Sequence, residues 1–523
     1  MLVVELNRAN FEYDVNSIVR AFYPEEQVYV LTPECREEKR AQFGGSARIR
    51  VELREDGALL SIDGKDYIWE WREDTLGHRE SDGSMAADEK TYKYGFKCFL
   101  YRTLCEETRK ELPWGNLTGI RPTKIAYQLL EQGASEEEII DHYMQRYYVS
   151  REKAKLSVDI AGRERELLSG LGGRDGFPGE GYGQGYSSGY SQGCGSYSRG
   201  CSSGYSLYIG IPFCPSTCLY CSFTSFPIAA YRKEVDRYID CLIKEMEFVA
   251  RRYRDRRLDC VYIGGGTPTT LEAEQLERLL AGLKGLFDFS SVREFTVEAG
   301  RADSITEDKL RVLKSYGVDR ISVNPQTMKQ ETLDIIGRKA SVEQVEAAYA
   351  LARDVGFDNI NMDLILGLPG ELEADVQRTI DRVVELAPDS LTVHSLAIKR
   401  ASRLNRQIQE NGMPVLHNTD ETMGIAAKGA KRLGLVPYYL YRQKNMSGNF
   451  ENVGYAREGK FGLYNILIME EVQTIVALGA GSISKRVHPD GLIERCENVK
   501  EVALYIEKID EMIERKRVLL QGT

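Results

Sequence analysis

The feature that most constrains the fold of this chain is a regular alternation of short apolar strands and helices after residue 206. Apolar segments predicted to be strands lie at 207–213, 259–266, 294–300, 319–326, 359–368 and 390–398. Helical stretches separate them, at 231–253, 272–284, 306–316, 342–355 and 372–386. Near-continuous apolar strands joined by such helices are typical of a parallel sheet that is covered on its outside. The pattern predicts an α/β fold with a partial (β/α)6 TIM-like barrel rather than the complete eight-unit barrel.

The rest of the chain divides around this barrel, which we predict over 207–398. Residues 1–168 have strand and then helix patterns and are predicted to form an N-terminal α/β domain of unknown role. Residues 169–206 are rich in Gly, Ser and Tyr and nearly lack aliphatic side chains, which predicts a flexible linker. Residues 399–523 are predicted to form a smaller C-terminal domain on the substrate side of the barrel.

Composition and charge narrow the class of protein. The chain has 523 residues and a formal net charge of −10, which argues against a partner such as bulk nucleic acid or an anionic membrane. The N-terminus lacks a basic region followed by an apolar core, and no apolar run approaches the ~20 residues that span a bilayer. An odd number of cysteines without a secretory signal argues against a disulfide framework and for a cytoplasmic location. Cys194 and Cys201, inside the predicted linker, are not expected to be ligands.

The cysteines that carry chemistry follow the first barrel strand. Cys214, Cys218 and Cys221 lie within eight residues. Thiolates at this spacing can wrap one face of a [4Fe–4S] cluster and leave one iron without a protein ligand. Such an open iron can chelate the amino and carboxylate groups of a methionine and pass one electron to a sulfonium. Zinc is the main alternative, but it prefers four closed ligands, and no fourth Cys or His follows nearby.

Further candidate ligands lie where the next strands end. In parallel α/β folds the carboxyl ends of the strands form the site, so polar groups there are expected to share a ligand. The candidates are Gly266 and Thr267 in a glycine turn, then Glu298, Gln326 and Asp363. Arg338 follows the fourth strand, where it would either bind a carboxylate or lie as a solvated surface arginine.

These residues resemble the radical S-adenosylmethionine (SAM) superfamily, and within it the oxygen-independent coproporphyrinogen III dehydrogenases. The resemblance covers about 207–485: YIGIPFCPSTCLYC resembles the cluster loop, GGGTPT the methionine-binding turn and NMDLILGLPGE the fifth strand. Two further stretches, LPWGNLTGIRPTK and YYLYRQKNMSGNFENVGYA, resemble the HemZ-type branch. The resemblance implies the partial radical SAM barrel, with a [4Fe–4S] cluster and SAM as cofactors.

The resemblance also implies roles for single residues. Cys214, Cys218 and Cys221 would ligate the cluster, and Gly266 and Thr267 would hold the methionyl end of SAM. Tyr208 would contact SAM just before the cluster loop, and Tyr220 would pack on its adenosyl part. Further SAM contacts would come from Glu298, Gln326, Arg338, Asp363 and Ala397.

The reaction that the resemblance implies is part of haem biosynthesis. A flavodoxin or ferredoxin would reduce the cluster, and SAM would yield a 5′-deoxyadenosyl radical. The radical would remove a hydrogen atom from the β-carbon of a coproporphyrinogen III propionate. Loss of CO2 and one electron then leaves a vinyl group, and two such events give protoporphyrinogen.

Two departures from this pattern keep other functions open. Phe223 stands where the established dehydrogenases carry a further cysteine, and the related haem chaperones have Phe or Tyr there. Those chaperones use a His-Asn-x-x-Tyr-Trp motif, which corresponds here to residues 451–456 without the histidine or the tryptophan. The alternatives are therefore a haem-binding or haem-delivery protein and a radical enzyme on another substrate, such as RNA. Arg442, Lys444 and Asn445 are candidate partners for propionates, or residues of a surface loop.

Overall fold

A computed structural model of the chain describes residues 1–35, 43, 47–71, 85–118, 121–171, 204–399, 401–412, 416–443, 446 and 449–521. The linker cysteines Cys194 and Cys201 and the candidate residues Lys444 and Asn445 lie outside these ranges. None of the helices in the described ranges combines the length and the apolar composition needed to cross a membrane.

The N-terminal residues form a sheet of their own. Its strands are β1 (Leu2–Leu6), β2 (Val28–Leu31), β3 (Ile49–Leu53), β4 (Gly57–Ile62) and β5 (Lys65–Glu70), in the order β2-β1-β3-β4-β5. Its helices are α1 (Glu12–Phe22) and α2 (Met85–Thr108). Buried and exposed residues alternate along β3, so one face of the sheet is apolar. That face packs with α1 and α2 in a core of its own that ends at Leu112.

Three further helices precede the predicted linker: α3 (Thr123–Glu131), α4 (Glu136–Tyr147) and α5 (Arg151–Ser169). Serine caps begin α4 and α5, since Ser135 and Ser150 accept hydrogen bonds from the backbone N–H three residues on. The apolar faces of these helices belong to the barrel core and not to the N-terminal core. The sequence predicts one domain over 1–168, whereas hydrophobic packing divides this stretch near residue 112.

The barrel contains the predicted strands in chain order. They are β6 (Gly204–Ile211), the short pair β7 (Phe213–Cys214) and β8 (Phe226–Pro227), then β9 (Arg257–Gly265), β10 (Glu294–Glu298), β11 (Arg320–Ser322), β12 (Ile360–Leu366) and β13 (Ser390–Ser395). The helices are α6 (Val235–Arg252), α7 (Ala273–Leu286), α8 (Glu307–Ser315), α9 (Gln330–Ile335), α10 (Val342–Asp354) and α11 (Glu373–Leu386). Short 3-10 helices are Ala9–Phe11, Ile228–Ala230, Pro268–Thr270 and Ala302–Ser304. Strands β6 and β9–β13 pair in parallel, which confirms the predicted partial (β/α)6 barrel.

The C-terminal residues extend the same sheet at both edges. Their elements are α12 (Arg403–Asn411), α13 (Asp420–Arg432), β14 (Val436–Tyr441), β15 (Asn452–Ala456), α14 (Leu463–Glu470), β16 (Thr474–Leu478), β17 (Ile483–Val487), β18 (Ile493–Glu497), α15 (Val502–Glu507) and α16 (Ile509–Leu519). Strand β15 pairs antiparallel with β13, while β16 runs parallel to β6 on the opposite edge. The strand order is β14-β15-β13-β12-β11-β10-β9-β6-β16-β17-β18. The boundary at 399 stays a prediction, because the sheet continues across it.

Candidate functional site

The cysteine loop leaves the carboxyl end of β6, and backbone hydrogen bonds hold it at its base and at Leu219. The Phe226 N–H donates to the Pro212 carbonyl at 2.7 Å and closes the loop at its base. The Leu219 N–H donates to Ile336 O at 2.9 Å, and the Leu404 N–H donates to Leu219 O at 2.9 Å. A small apolar cluster under the loop is formed by Leu219, Leu333, Ile336, Ile365, Leu368, Leu396, Ile398, Leu404 and Ile408. The backbone that carries the thiols is therefore held before any ligand binds.

The three thiols of this loop lie close to one another. Cys218 is buried, and Cys214 and Cys221 are partly buried. Burial raises the pKa of Cys214 to about 11, and the nearby charges of Cys221 and Cys218 act in the same direction. In the described residues no three Cys, His, Asp or Glu side chains converge on a single metal ion. Thiolates that ligate different irons of one cluster do not need to converge in that way.

The glycine turn after β9 packs directly on the cysteine loop. The Gly266 N–H donates to Ile211 O at 2.8 Å, and the Thr267 N–H donates to Phe213 O at 2.7 Å. A Cβ on Gly266 would lie 2.5 Å from the Phe213 carbonyl oxygen, so no other residue fits there. The Thr267 hydroxyl lies 3.4 Å from the Cys214 sulfur. The sequence analysis interprets these glycines as room for a ligand; the direction of a Cβ at Gly266 is occupied by the loop backbone, and contact of the turn with a ligand stays a prediction.

Glu298 ends β10 inside a group of stacked tyrosines. The Tyr262 hydroxyl donates to the Glu298 carboxylate at 2.5 Å. Burial raises the pKa of Glu298 to about 7. The Tyr262 ring stacks on Tyr208 and Tyr464, with centroids 6.2 Å and 4.6 Å away. Tyr262 is a residue that the sequence analysis missed, although its position opposite Tyr208 in the neighbouring strand would have indicated it.

Gln326 and Asp363 meet across β11 and β12. Gln326 has a φ of 68°, in the left-handed region, and within the described part of the chain its buried side-chain oxygen has no hydrogen-bond partner. Its N–H donates to Asp363 O at 2.9 Å. The Asp363 carboxylate accepts from Asn324 at 2.8 Å and from Asn361 at 2.7 Å. These two asparagines carry no signal in the sequence that separates them from ordinary polar residues.

Arg338 joins the cysteine loop to two strand ends. It donates to Gly300 O at 3.1 Å, to Asn324 O, and to the Tyr220 hydroxyl at 3.4 Å. Its Nε is buried and has no hydrogen-bond partner among the residues that the structure describes. The alternative of a solvated surface arginine is therefore wrong. Ala397, just past β13, forms an isolated antiparallel bridge with Met446.

The residues present fit a [4Fe–4S] cluster and SAM. Three thiols lie near one another on an anchored loop, and among the described residues the buried side-chain oxygen of Gln326 and the Nε of Arg338 have no hydrogen-bond partner. A buried polar group without a partner costs free energy unless a ligand satisfies it. A groove of about 190 Å³ runs beside the loop, and its lining includes Tyr208, Phe223, Gly265 and Gly481. Phe223 is 75% exposed.

The two stretches that resemble the HemZ-type branch pack against each other. The Glu451 carboxylate pairs with Lys153 Nζ at 2.6 Å and accepts from Trp114 Nε1 at 2.7 Å. Arg442 donates to Leu117 O at 2.6 Å, and burial lowers its pKa to about 10. Arg442 also donates to Asn449. Arg442 is buried, so the interpretation as a residue of a surface loop is wrong, whereas its role as a partner for a propionate stays a prediction.

Comparisons with known proteins agree with this geometry. A model of the radical SAM superfamily matches residues 208–383. Over 451 residues the chain is 37% identical to the oxygen-independent coproporphyrinogen-III oxidase-like protein HemZ of Bacillus subtilis (strain 168), covering 84% of this chain and 85% of that protein. The chain belongs to the HemZ-like family of the radical SAM superfamily. The cofactors of that superfamily, a [4Fe–4S] cluster and SAM, are therefore its cofactors.

Other members of the superfamily are similar over shorter stretches. The chain is 36% identical over 195 residues to the heme chaperone HemW of Bacillus subtilis (strain 168), covering 37% of this chain and 51% of that protein. It is 29% identical over 320 residues to the oxygen-independent coproporphyrinogen III oxidase of Salmonella typhimurium, covering 58% of this chain and 65% of that protein. The structure of coproporphyrinogen III oxidase (HemN) from Escherichia coli is 26% identical, with a TM-score of 0.47 over 59% of this chain and 70% of that one. Relatives named as oxidases and as chaperones thus both occur.

Proposed function

We propose that this chain is a radical SAM oxidoreductase that converts propionates of coproporphyrinogen III to vinyl groups without oxygen. The observation that supports the radical chemistry is the anchored loop with three neighbouring thiols, together with the buried atoms of Gln326 and Arg338 that have no hydrogen-bond partner among the described residues. Each conversion removes one hydrogen atom, one CO2 and one electron from the substrate. A flavodoxin or ferredoxin is the proposed electron donor, and the cytoplasm is the proposed location.

The proposed roles follow the contacts of each residue. Cys214, Cys218 and Cys221 would ligate the cluster. When bound, the cluster and SAM supply a radical that removes a hydrogen atom from a substrate C–H bond. Arg338 and Gln326 have free buried polar atoms that suit the carboxylate and hydroxyl groups of SAM.

We assign the remaining candidates to the same ligand. Glu298, at a pKa of about 7, can accept from an ammonium group when it is ionised. Asn324 and Asn361 donate to the Asp363 carboxylate and orient it, and we assign this carboxylate to the ribose hydroxyls of SAM. Further contacts to SAM are proposed for Tyr208, Tyr220, Gly266, Thr267 and Ala397.

The contacts of Glu451 favour decarboxylation over haem delivery. Haem chaperones of the superfamily are expected to have a histidine at this position, and here a buried carboxylate pairs with Lys153 and Trp114. Glu451 is 1% exposed, so the position serves the packing of α5 and leaves no group for haem iron. A haem-delivery role remains the second candidate because Phe223 stands where those chaperones have an aromatic residue.

One anaerobic assay tests the proposal. Reconstituted protein, SAM and a reductant are incubated with coproporphyrinogen III, and we expect 5′-deoxyadenosine together with harderoporphyrinogen and protoporphyrinogen. Formation of 5′-deoxyadenosine without either porphyrinogen product would reject the proposed substrate. Stoichiometric haem binding by the isolated protein would then favour delivery, and its absence would favour another substrate.

Two cysteine variants test the assignment of the cluster ligands. Cys218→Ala should abolish the visible absorbance of the cluster. Cys241→Ala is the matched control, because Cys241 is a partly buried cysteine on α6 outside the loop. Equal cluster content in the two variants would contradict the ligand assignment.

A further inference from the structure

Arg301 is a buried cation at the cysteine loop that the site described above does not use. It follows β10 by three residues and is 3% exposed. Its Nη1 donates to the Ser216 carbonyl at 3.1 Å, and its Nη2 donates to the Ser216 hydroxyl at 3.1 Å. The same Nη1 lies 3.6 Å from the Cys218 sulfur. One guanidinium thus contacts both the loop backbone and a candidate ligand atom.

The geometry of Arg301 is fixed by a carboxylate. Asp303 accepts from Nε at 3.0 Å and from Nη2 at 2.8 Å, so the two side chains form a bidentate pair. Such a pair holds the planar fork of an arginine in one orientation. Asp303 offsets part of the positive charge at the sulfur but does not contact the loop in the described hydrogen bonds.

A second arginine touches the same loop without reaching a sulfur. Arg403 donates to Thr217 O at 2.8 Å from an exposed position on α12. Its charge is screened by water, whereas the charge of Arg301 acts in a buried, low-dielectric setting. A variant of Arg403 therefore loses a contact to the loop without losing a buried charge, so it distinguishes the two effects. Arg338 also approaches Cys218, but it belongs to the candidate SAM site and is left unchanged.

We propose that Arg301 is a positioning residue for the cluster. It fixes Ser216 and, through the charge that it places beside the Cys218 sulfur, makes the bound cluster easier to reduce. A positive charge near an iron–sulfur cluster and hydrogen bonds to its sulfurs both stabilise the reduced state, which carries one more electron. The electron comes from an external low-potential donor, and no bond in the protein forms or breaks. The inference rests on the proposed ligand role of Cys218.

The test is a redox titration of the reconstituted holoenzyme with dithionite, followed by electron paramagnetic resonance without SAM or substrate. Iron and sulfide contents are measured for each variant. For Arg301→Gln we expect the ratio of reduced to oxidised cluster at a fixed potential to fall about tenfold, which is ~59 mV for one electron. Arg301→Lys keeps the charge and should recover most of this loss. Arg403→Gln is the matched control and should leave the ratio unchanged.

For Asp303→Asn we expect the reduced fraction of the cluster to change in the opposite direction. Loss of the offsetting carboxylate should raise the reduced fraction several-fold, which simple loosening of the loop would not do. If Arg301→Gln cannot hold four irons, Arg301→Lys and Asp303→Asn decide the outcome. The proposal is overturned if Arg301→Gln titrates like Arg403→Gln at full iron content, or if Asp303→Asn lowers the reduced fraction. Failure of the porphyrinogen assay would not alter these potentials, because they are measured without substrate.

Discussion

At the scale of single residues, the candidate site keeps groups in states that are unfavourable without a ligand. Gln326 has a left-handed backbone and a buried side-chain oxygen that accepts no hydrogen bond from the described residues. Arg338 has a buried Nε that no described residue contacts by a hydrogen bond. Conformations of this kind cluster at functional sites, because the surrounding structure holds them there. These groups destabilise the ligand-free protein, and a ligand that forms hydrogen bonds with them recovers that free energy on binding.

Replacing Gln326 by glycine should separate stability from binding. Gln326→Gly relieves the left-handed strain, so the free energy of unfolding of the cluster-free protein should rise by up to about 1 kcal/mol. SAM binding to the reconstituted protein should weaken, since the amide is lost. Ala387→Gly is the matched control, because Ala387 has a φ of 54° at the end of α11, where it caps a helix. That variant should gain similar stability in urea unfolding and keep its SAM affinity; equal SAM affinities in both variants would contradict the assignment of Gln326.

Glu298 should make the stability of the cluster-free protein depend on pH. Its pKa is raised by burial from 4.5 to about 7, so the folded state prefers the neutral form. The stabilisation is present below pH 4.5 and is lost as the pH rises toward 7, at most about 3 kcal/mol. Glu298→Gln stays neutral, so its melting temperature should fall less between pH 5 and pH 8 than that of the unchanged protein. Parallel melting curves for the two proteins would show that Glu298 does not titrate in this range.

At the scale of elements, the cysteine loop and the glycine turn form one unit. Gly266→Ala would push a methyl group against the Phe213 carbonyl, 2.5 Å away, and displace the residue next to Cys214. We expect a clear loss of cluster iron after reconstitution, measured per folded protein. Gly285→Ala is the control, because a Cβ there meets nothing within 4 Å and the residue lies within α7. That variant should be more stable by about 0.5–1 kcal/mol with full iron content; normal iron content in Gly266→Ala would contradict the packing argument.

The elements of the barrel were predictable because their signal is local. Apolar periodicity predicts β9 and α11 to within a few residues, and the carboxyl ends of parallel strands must gather in one place. The contacts that complete the site are not local. Arg301 reaches Cys218 across 83 residues, and Asn324 reaches Asp363 across 39. The sequence of α5 shows that the helix has an apolar face but not which of the two cores that face joins. The division near residue 112 could therefore not be predicted from the sequence.

At the scale of the whole molecule, a buried ion pair joins parts of the chain that are far apart in sequence. Lys153 and Glu451 are both buried and pair at 2.6 Å, tying α5 to the barrel sheet. Glu451→Ala leaves a buried ammonium without its partner, so the free energy of unfolding should fall by about 3–5 kcal/mol. Glu137→Ala breaks the exposed pair with Arg151 and should cost less than about 1 kcal/mol. Urea unfolding of the two variants measures the difference, and equal losses would show that the buried pair does not hold the units together.

The position of β6 between β9 and β16 has a consequence for how the protein is made. One neighbour of β6 is synthesised soon after it, but the other ends at residue 478, roughly 270 residues later. At roughly 5–20 residues per second, the nascent chain waits about 13–55 s with one edge of its first barrel strand unpaired. An unpaired edge invites association with other chains, so this interval is the one in which a ribosome-bound chaperone has most to protect. The cysteine loop, which follows β6 directly, is translated at the start of this interval.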